Sequence, residues 1–265
     1  NPPYLARNKS TNKELYDKYN TNDLYKCFIE NILTSGCSGG IIIIPLNFMS
    51  SIRKNDINLR KRFTCKYDIR TMNIFEEQVF NDTSYTICSL QFSRKKHQNN
   101  HTNAYIYSKT SNVVQIKFEL TSQNNYTIGG EIYNLKQSTD YKIERATRSC
   151  SLENCTNILV KCIDDSIDSK IKMSLVDGDI VAKYIDDTPK LSARSYAILI
   201  IEPMIEKGKQ EELVNRFNAF LNKHRERYKS LFLANYRESN SVARKRISFG
   251  LVYEICNYLL SNDEP

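Results

Sequence analysis

The apolar residues near the start of the chain recur at helical spacing. Leu24, Phe28 and Ile32 lie one turn apart, between a capping residue, Asn22, and a stop at Gly36. The pattern predicts one amphipathic helix between these two boundaries.

A β-branched run follows this helix. Gly39 and Gly40 lead into Ile41–Pro45, a continuous apolar stretch. Such stretches are typical of strands that are buried on both faces of a sheet. We therefore expect a central strand of a parallel sheet here.

A second helix is predicted from Ser50 or Ser51, either of which can cap it, to about Phe63. It carries a set of basic residues that we assign to its solvent-exposed side. They are Arg53, Lys54, Arg60, Lys61 and Arg62. Residues 69–75 and 83–92 then have the composition and alternation of strands.

The charged run Arg94-Lys95-Lys96-His97 follows the last of these strands, and the chain changes character there. We predict one domain over residues 1–95 and a second over residues 96–265. The second is predicted to be mainly β at first, with short strands separated by polar turns. These strands are 105–107, 113–120, 128–135, 157–163, 180–185 and 195–201. Helices over 210–228 and 248–260 are predicted to complete it.

The composition of the chain indicates what it binds and where it is found. The chain has 265 residues and a formal net charge of +8, the sign expected of a polyanion binder. Its longest apolar run is far shorter than the roughly 20 residues of a membrane helix, so we expect no membrane association. The eight cysteines are interpreted as reduced, mostly buried thiols, which favours the cytosol or nucleus.

The most specific signal is the string Asn1-Pro2-Pro3-Tyr4. Pro-Pro is rigid and Asn often begins a turn, so a structural turn is the simplest alternative. The context favours a functional motif over a structural turn. The string is followed, in order, by Asn22-Asp23-Leu24-Tyr25 on the first helix, by Gly39 to Pro45, and by the segment that ends at Phe92. This succession resembles the γ-class, Taq-type, AdoMet-dependent adenine-N6 DNA methyltransferases, from their NPPY motif onward.

The resemblance implies an α/β fold. Residues 1–95 would form the carboxy-terminal half of a Rossmann-like methyltransferase sheet. Residues 96–265 would form a mixed, β-rich target-recognition region with C-terminal helices. The NPPY loop would lie at the carboxyl end of a strand, where open α/β sheets place ligands.

The resemblance also implies the roles of the first residues. The Asn1 side-chain oxygen would accept one hydrogen bond from the target amino group and the Pro2 carbonyl would accept the other, in the loop that Pro3 stiffens. Tyr4 would stack on an adenine flipped out of double-stranded DNA. Phe80 matches the position of a second stacking aromatic, with Phe75 and Tyr85 as local competitors and a core phenylalanine as the alternative.

The expected cofactor is S-adenosyl-L-methionine, although the glycine-rich motif that binds it in this class is absent from the sequence. We therefore interpret the chain as a fragment, or as part of a split enzyme. Double-stranded DNA is the expected partner, together with a cognate restriction endonuclease, and we expect a monomer. Two basic clusters are predicted to contact the DNA backbone. They are Arg94, Lys95 and Lys96, and Arg244, Lys245 and Arg246.

Other functions remain open from the sequence. NPPY would also serve methylation of RNA or of a glutamine amide, and the chain could be a DNA-binding module without catalysis. Cys150, Cys155, Cys162, His97 and His101 could supply zinc ligands, but their spacing is not that of structural zinc sites. The acidic pairs Asp164-Asp165 and Asp186-Asp187 could serve a metal-dependent nuclease, although such pairs are common in turns. We therefore predict no metal site.

Overall fold

A computed structural model describes residues 1–81, 83, 85–96, 101–108, 112–165, 169–186, 195–236 and 244–262, without the side chains of residues 235, 236 and 244. The chain divides into two units. The first comprises Asn1–Glu131 and Ala234–Ala243, and the second comprises Ile132–Leu233 and Arg244–Pro265.

The first unit combines helices with a mixed sheet. Its elements are α1 (Glu14–Tyr19), α2 (Leu24–Ser35), β1 (Gly39–Pro45), α3 (Asn47–Ser50), α4 (Lys54–Lys66), β2 (Tyr67–Phe75), β3 (Ile87–Arg94), β4 (His101–Tyr107) and β5 (Val114–Glu119). The strand order is β1-β3-β2-β4-β5. β3 is antiparallel to both β1 and β2, and β4 is parallel to β2. The carboxyl ends of β1, β2 and β4 therefore share one edge of the sheet.

One face of this sheet carries the core of the unit. Ile44, Leu90 and Met72 point to the same side and are buried. Phe63 of α4 reaches this side and contacts Phe92 of β3 edge to face, with 5.2 Å between ring centroids. Helix α2 packs in turn against α4. The two helices thus cover the apolar face of the sheet.

β1 does not match its prediction in full. Among the described residues it pairs only with β3, in an antiparallel register, and Ile41 is 69% exposed. The expectation of a parallel strand buried on both faces is therefore wrong for the described part of the chain. The run Ile41–Ile44 has a buried face and an open one, and an unbroken row of isoleucines hides this difference in the sequence.

The second unit also combines helices and strands. Its elements are β6 (Lys142–Arg145), β7 (Ile158–Lys161), β8 (Lys172–Leu175), α5 (Gly178–Asp186), β9 (Tyr196–Glu202), α6 (Lys207–Tyr228), β11 (Arg244–Arg246) and α7 (Phe249–Ser261), while β10 (Ala234–Tyr236) belongs to the first unit. The antiparallel sheet has the order β6-β9-β7-β8. α6 packs against β8 and α7, and α7 packs against β6. The mixed α/β class is confirmed, and both predicted C-terminal helices are present.

The boundary between the units does not coincide with the predicted one at residue 95. β4 pairs with β2, and β5 pairs with β4, so the first sheet continues well beyond the charged run. The first segment of that unit ends at Glu131. The charged run does not mark a boundary between the units, because the strands before and after it belong to one sheet.

Two segments predicted as strands are not strands. Residues 128–135 contain the 3-10 helix Gly130–Tyr133, where a side chain on Gly130 would meet the Asn124 carbonyl oxygen. Residues 180–185 lie in α5, because Val181 and Ile185 are four residues apart and pack together into a buried cluster with Ile198 of β9.

Arg60 was predicted on the solvent-exposed side of its helix, and this prediction is wrong. Its side chain is 1% exposed. The guanidinium donates to the carbonyl oxygens of Phe48, Ser51 and Tyr126 at 2.5, 2.6 and 2.6 Å. It also donates to the Thr127 hydroxyl at 2.5 Å. Burial lowers the pKa of Arg60 to about 10, although nearby Asp56 opposes this.

All eight cysteines are free thiols, and four of them are buried: Cys27, Cys88, Cys162 and Cys256. None of the described helices is long and apolar enough to cross a membrane.

Candidate active site

The first four residues form a short segment beside β1. Pro2 is buried, whereas Asn1 and Pro3 are exposed and Tyr4 is half-buried. The Tyr4 hydroxyl lies 2.8 Å from the Asn1 side-chain oxygen and 3.0 Å from the carbonyl oxygen of Ile43. The segment is therefore attached to β1 two residues before the carboxyl end of that strand.

The hydrogen bond from the Tyr4 hydroxyl restricts the orientation of the Asn1 side chain. A phenol has one proton to donate, and the two acceptors share it. The side-chain oxygen of Asn1 has two lone pairs and keeps capacity for a further donor. Within the described part of the chain, no hydrogen bond uses the carbonyl oxygen of Pro2. The Asn1 side-chain oxygen is therefore able to accept a further hydrogen bond beside Tyr4.

The structure brings Phe80 close to Tyr4. Their ring centroids are 6.3 Å apart, and the ring planes differ by 55°. Phe80 lies in the loop between β2 and β3, where Gln78 donates to its carbonyl oxygen at 3.0 Å. Phe75, a competitor for the same role, stacks instead on Tyr107 at 5.4 Å.

A further aromatic residue at this site was missed by the sequence reasoning. The ring of Tyr25 meets the ring of Tyr4 edge to face, at 6.3 Å and 83°. Tyr25 lies in the first turn of α2 and is 4% exposed. Burial raises its pKa well above the usual range. Its position in Asn22-Asp23-Leu24-Tyr25 indicated a helix start, but nothing in that string indicates contact with residue 4.

We expect Tyr4→Phe to lower turnover of the full-length protein about three- to tenfold, because it removes the hydroxyl that orders Asn1 and keeps the ring. Tyr4→Ala, which removes the ring as well, should cost clearly more. If the loop acts as the sequence resemblance implies, the measurement is the rate of methyl transfer under saturating substrate. Equal rates for wild type and Tyr4→Phe would show that the hydroxyl has no role in the reaction.

The predicted basic clusters differ in exposure. Arg94 and Lys96 are exposed, whereas Lys95 is half-buried and donates to the carbonyl oxygen of Thr64 at 3.2 Å. Lys95 also lies 3.8 Å from Asp68. The first basic cluster thus contains two exposed cations, Arg94 and Lys96, and one, Lys95, that interacts with other residues of the first unit.

The second basic cluster lies in β11. Lys245 and Arg246 are half-buried, and the side chain of Arg244 is outside the described residues. Arg246 lies near the Cys162 thiol, whose pKa burial raises to about 12 while the guanidinium opposes the change. We therefore find the two clusters in different units and in different surroundings.

The metal alternatives receive no support from the described residues, which contain no group of three or more His, Cys, Asp or Glu side chains arranged to hold a metal ion. Asp165 has a structural partner instead: its carboxylate lies 2.8 Å from Arg225 and accepts the backbone N–H of Ile171 at 3.0 Å. His97 and Asp187 lie outside the described residues.

The described residues do not fit AdoMet by themselves. Such cofactors are held where a glycine-rich turn joins the end of a strand to the start of a helix. Among the described residues, Gly36 ends α2, while Gly39 and Gly40 begin β1. No glycine-rich turn of the required kind occurs in this part of the chain.

The first part of the chain matches a known protein family. Residues 1–80 match the model of the Eco57I restriction-modification methylases. The matched segment contains Asn1 to Tyr4, α2, β1, α4, β2 and Phe80. No curated protein sequence matches the chain.

Several solved structures of restriction-modification proteins are weakly similar. A modification subunit attributed to a type I restriction enzyme of Vibrio vulnificus has 12% identity and a TM-score of 0.34, over 52% of this chain and 34% of that one. The type IIG restriction endonuclease BpuSI has 13% identity and a TM-score of 0.34, over 55% and 24% of the two chains. The type IIL enzyme MmeI, solved in complex with DNA, has 11% identity and a TM-score of 0.34, over 97% and 34%.

Similarities of this size do not establish a shared fold. The chain spans about a third or less of the length of these proteins.

Proposed function

We propose that this chain carries the catalytic loop of an adenine-N6 DNA methyltransferase of the restriction-modification type. The observation that carries the proposal is that Tyr4 contacts the Asn1 side-chain oxygen, the main chain of β1 and the ring of Phe80 at one place. The family match over residues 1–80 supports it, because it includes all of these residues.

In this proposal the acceptors of the loop activate the amino group. The lone pair of an adenine amino nitrogen is delocalised into the ring. The Asn1 side-chain oxygen and the Pro2 carbonyl oxygen each accept a hydrogen bond from one N–H of this group, and this favours the tetrahedral nitrogen that can attack a methyl group. AdoMet, held by residues other than those described, would supply that methyl group: its bond to sulfur would break as the bond to nitrogen forms, S-adenosylhomocysteine would leave, and the nitrogen would lose one proton to solvent.

The two aromatic rings would hold the base. An adenine in a duplex is out of reach, so it must leave the stack at a cost of a few kcal/mol. A base stacked between two rings needs ring planes that are about 7 Å apart, because the separation at each of the two stacking contacts is about 3.5 Å. The ring centroids of Tyr4 and Phe80 are 6.3 Å apart and the ring planes differ by 55°, so Phe80 would have to move outward and turn for a base to fit between the two rings.

The position of the loop on the sheet agrees with this function. β1, α4 and β2 form a strand–helix–strand unit whose two strands point in the same direction. In open α/β sheets, ligands bind at the carboxyl ends of such strands. Tyr4 binds near the carboxyl end of β1, so we interpret the sheet as part of a Rossmann-like methyltransferase sheet.

The remaining assignments are also proposals. Residues from about 96 onward would contribute target recognition, with double-stranded DNA as the partner and a restriction endonuclease as a cognate protein. Within the first basic cluster, Arg94 and Lys96 are the candidates for phosphate contacts, because both are exposed whereas Lys95 is half-buried.

The test is to incubate the full-length protein with labelled AdoMet and with DNA, RNA or protein. We expect label in DNA, at the adenine amino group. Label only in RNA or in glutamine would replace the proposed substrate, and the absence of any transfer would favour a binding module.

The basic run makes a separate prediction about salt. We expect Lys96→Gln to reduce the slope of log affinity against log salt by about one, because one phosphate contact releases about one counterion. Lys54→Gln is a matched control, since Lys54 is an exposed lysine at the start of α4. An unchanged slope for Lys96→Gln would assign this lysine to the solvated surface.

A further inference from the structure

Three aromatic rings extend from the candidate site into the core of the first unit. We call Tyr4, Tyr25 and Phe48 the aromatic row. Tyr25 contacts Tyr4 at 6.3 Å and 83°, and Phe48 contacts Tyr25 at 6.3 Å and 84°. Both contacts are edge to face, the arrangement that aromatic quadrupoles prefer. Tyr25 therefore limits the orientations open to the Tyr4 ring.

The inner end of the row is fixed. Phe48 is 1% exposed, and its carbonyl oxygen accepts from Arg60 at 2.5 Å. The Arg60 guanidinium also lies over the Phe48 ring, 5.9 Å from its centroid. Because Arg60 is held by further backbone acceptors, the main chain at Phe48 cannot move without breaking buried hydrogen bonds.

The helix that carries Tyr25 is itself anchored by a buried ion pair. The Lys26 ammonium lies 2.5 Å from the Asp56 carboxylate of α4 and 2.8 Å from the Asn22 oxygen. Ser51 donates to the other carboxylate oxygen of Asp56 at 2.6 Å. The pair joins the first turn of α2 to α4, so the position of Tyr25 is set by two helices.

The backbone that leaves Tyr4 is attached to the same turn. The N–H of Leu24 donates to the carbonyl oxygen of Leu5 at 2.9 Å. The N–H of Arg7 donates to the carbonyl oxygen of Asn22 at 3.0 Å. The start of α2 thus holds both the main chain next to Tyr4 and the ring of Tyr4.

We propose that Tyr25 is a positioning residue, which sets the orientation of the Tyr4 ring and through it the geometry of the base site. The effect of Tyr25 on catalysis rests on the proposed function, whereas its effect on the orientation of the Tyr4 ring does not. The role requires an aromatic ring at position 25 and does not require the hydroxyl.

The first experiment measures the Tyr4 ring directly. The chain has 17 tyrosines, so it is labelled with 3-fluorotyrosine and the ¹⁹F resonance of Tyr4 is assigned by its loss in Tyr4→Phe. We expect Tyr25→Leu to shift this resonance and Tyr25→Phe to restore it. A Tyr4 resonance that is the same in Tyr25→Leu as in wild type would overturn the proposal.

The matched control is Ile29→Val. Ile29 is also buried in α2, at 1% exposure, but no ring contact joins it to Tyr4. Loss of packing in α2 alone should leave the Tyr4 resonance in place. If Tyr25→Leu does not fold, Phe48→Leu removes the next ring of the row and should shift the same resonance, and no shift there would equally overturn the proposal.

The second experiment uses the full-length protein. We expect Tyr25→Leu to lower the rate of methyl transfer about three- to tenfold with DNA affinity unchanged, and Tyr25→Phe to stay within about twofold of wild type. A loss of DNA affinity with an unchanged rate would contradict positioning. A shifted resonance together with a wild-type protein that transfers no methyl group would refute the proposed function and leave the role of Tyr25 intact.

Discussion

Replacing Asn1 by alanine is expected to lower methyl transfer by the full-length protein about 100-fold or more. Removing one group that stabilises a developing charge costs about this much in other enzymes. In the proposed site the Asn1 oxygen accepts a hydrogen bond from the target amino group, and alanine offers no acceptor. DNA affinity should remain close to that of wild type, because a single exposed side chain is lost.

Asn8→Ala is the matched control. Asn8 is an exposed asparagine close in sequence to the loop, and its replacement should leave the transfer rate unchanged. A rate for Asn1→Ala within about twofold of wild type would remove Asn1 from the reaction.

Replacing Arg60 by methionine is expected to destabilise the first unit by about 3–5 kcal/mol. Methionine fills part of the volume, but it leaves the carbonyl oxygens of Phe48, Ser51 and Tyr126 buried without a donor. It also leaves the charge of Asp56 with less compensation. The measurement is the free energy of unfolding from urea denaturation followed by circular dichroism.

Lys61→Met is the control for this prediction. Lys61 is the exposed neighbour of Arg60 on α4, so its replacement should change the free energy of unfolding by no more than about 0.5 kcal/mol. Equal effects of the two substitutions would mean that the buried hydrogen bonds of Arg60 contribute little to stability.

Much of the local structure followed from the apolar pattern. α2, α4, β2, α6 and α7 lie where the sequence predicts them, with ends shifted by a few residues. In each of these elements, burial on one side repeats with the period of the element. Boundaries shift because the last turn depends on contacts that the pattern does not contain.

The errors have a common physical cause. Val181 and Ile185 fit a short apolar strand as well as one face of a helix, and their packing against Ile198 decides between the two. Arg60 is a charged residue and was therefore placed on the solvent side of its helix. It is buried because it donates to carbonyl oxygens of segments up to 66 residues away in the sequence. Burial of this kind is set by tertiary structure, which a single helix pattern does not report.

The candidate site was predictable in its residue types but not in its supporting contacts. Asn1 to Tyr4 form a distinctive string, and Phe80 could be assigned through the resemblance to a known family. Tyr25 could not be assigned in this way, because its contact with Tyr4 depends on tertiary packing between residues that are far apart in the sequence. The assignment of Asn1 to Tyr4 and Phe80 stays a prediction until a base is seen there.

The most direct test of the base site is a structure of the full-length protein bound to DNA that contains its target sequence. We predict an adenine outside the double helix, stacked on Tyr4, with its amino nitrogen about 3 Å from the Asn1 oxygen and the Pro2 carbonyl oxygen. A bound duplex with every base stacked, or an extruded base held away from Asn1 and Tyr4, would contradict the account.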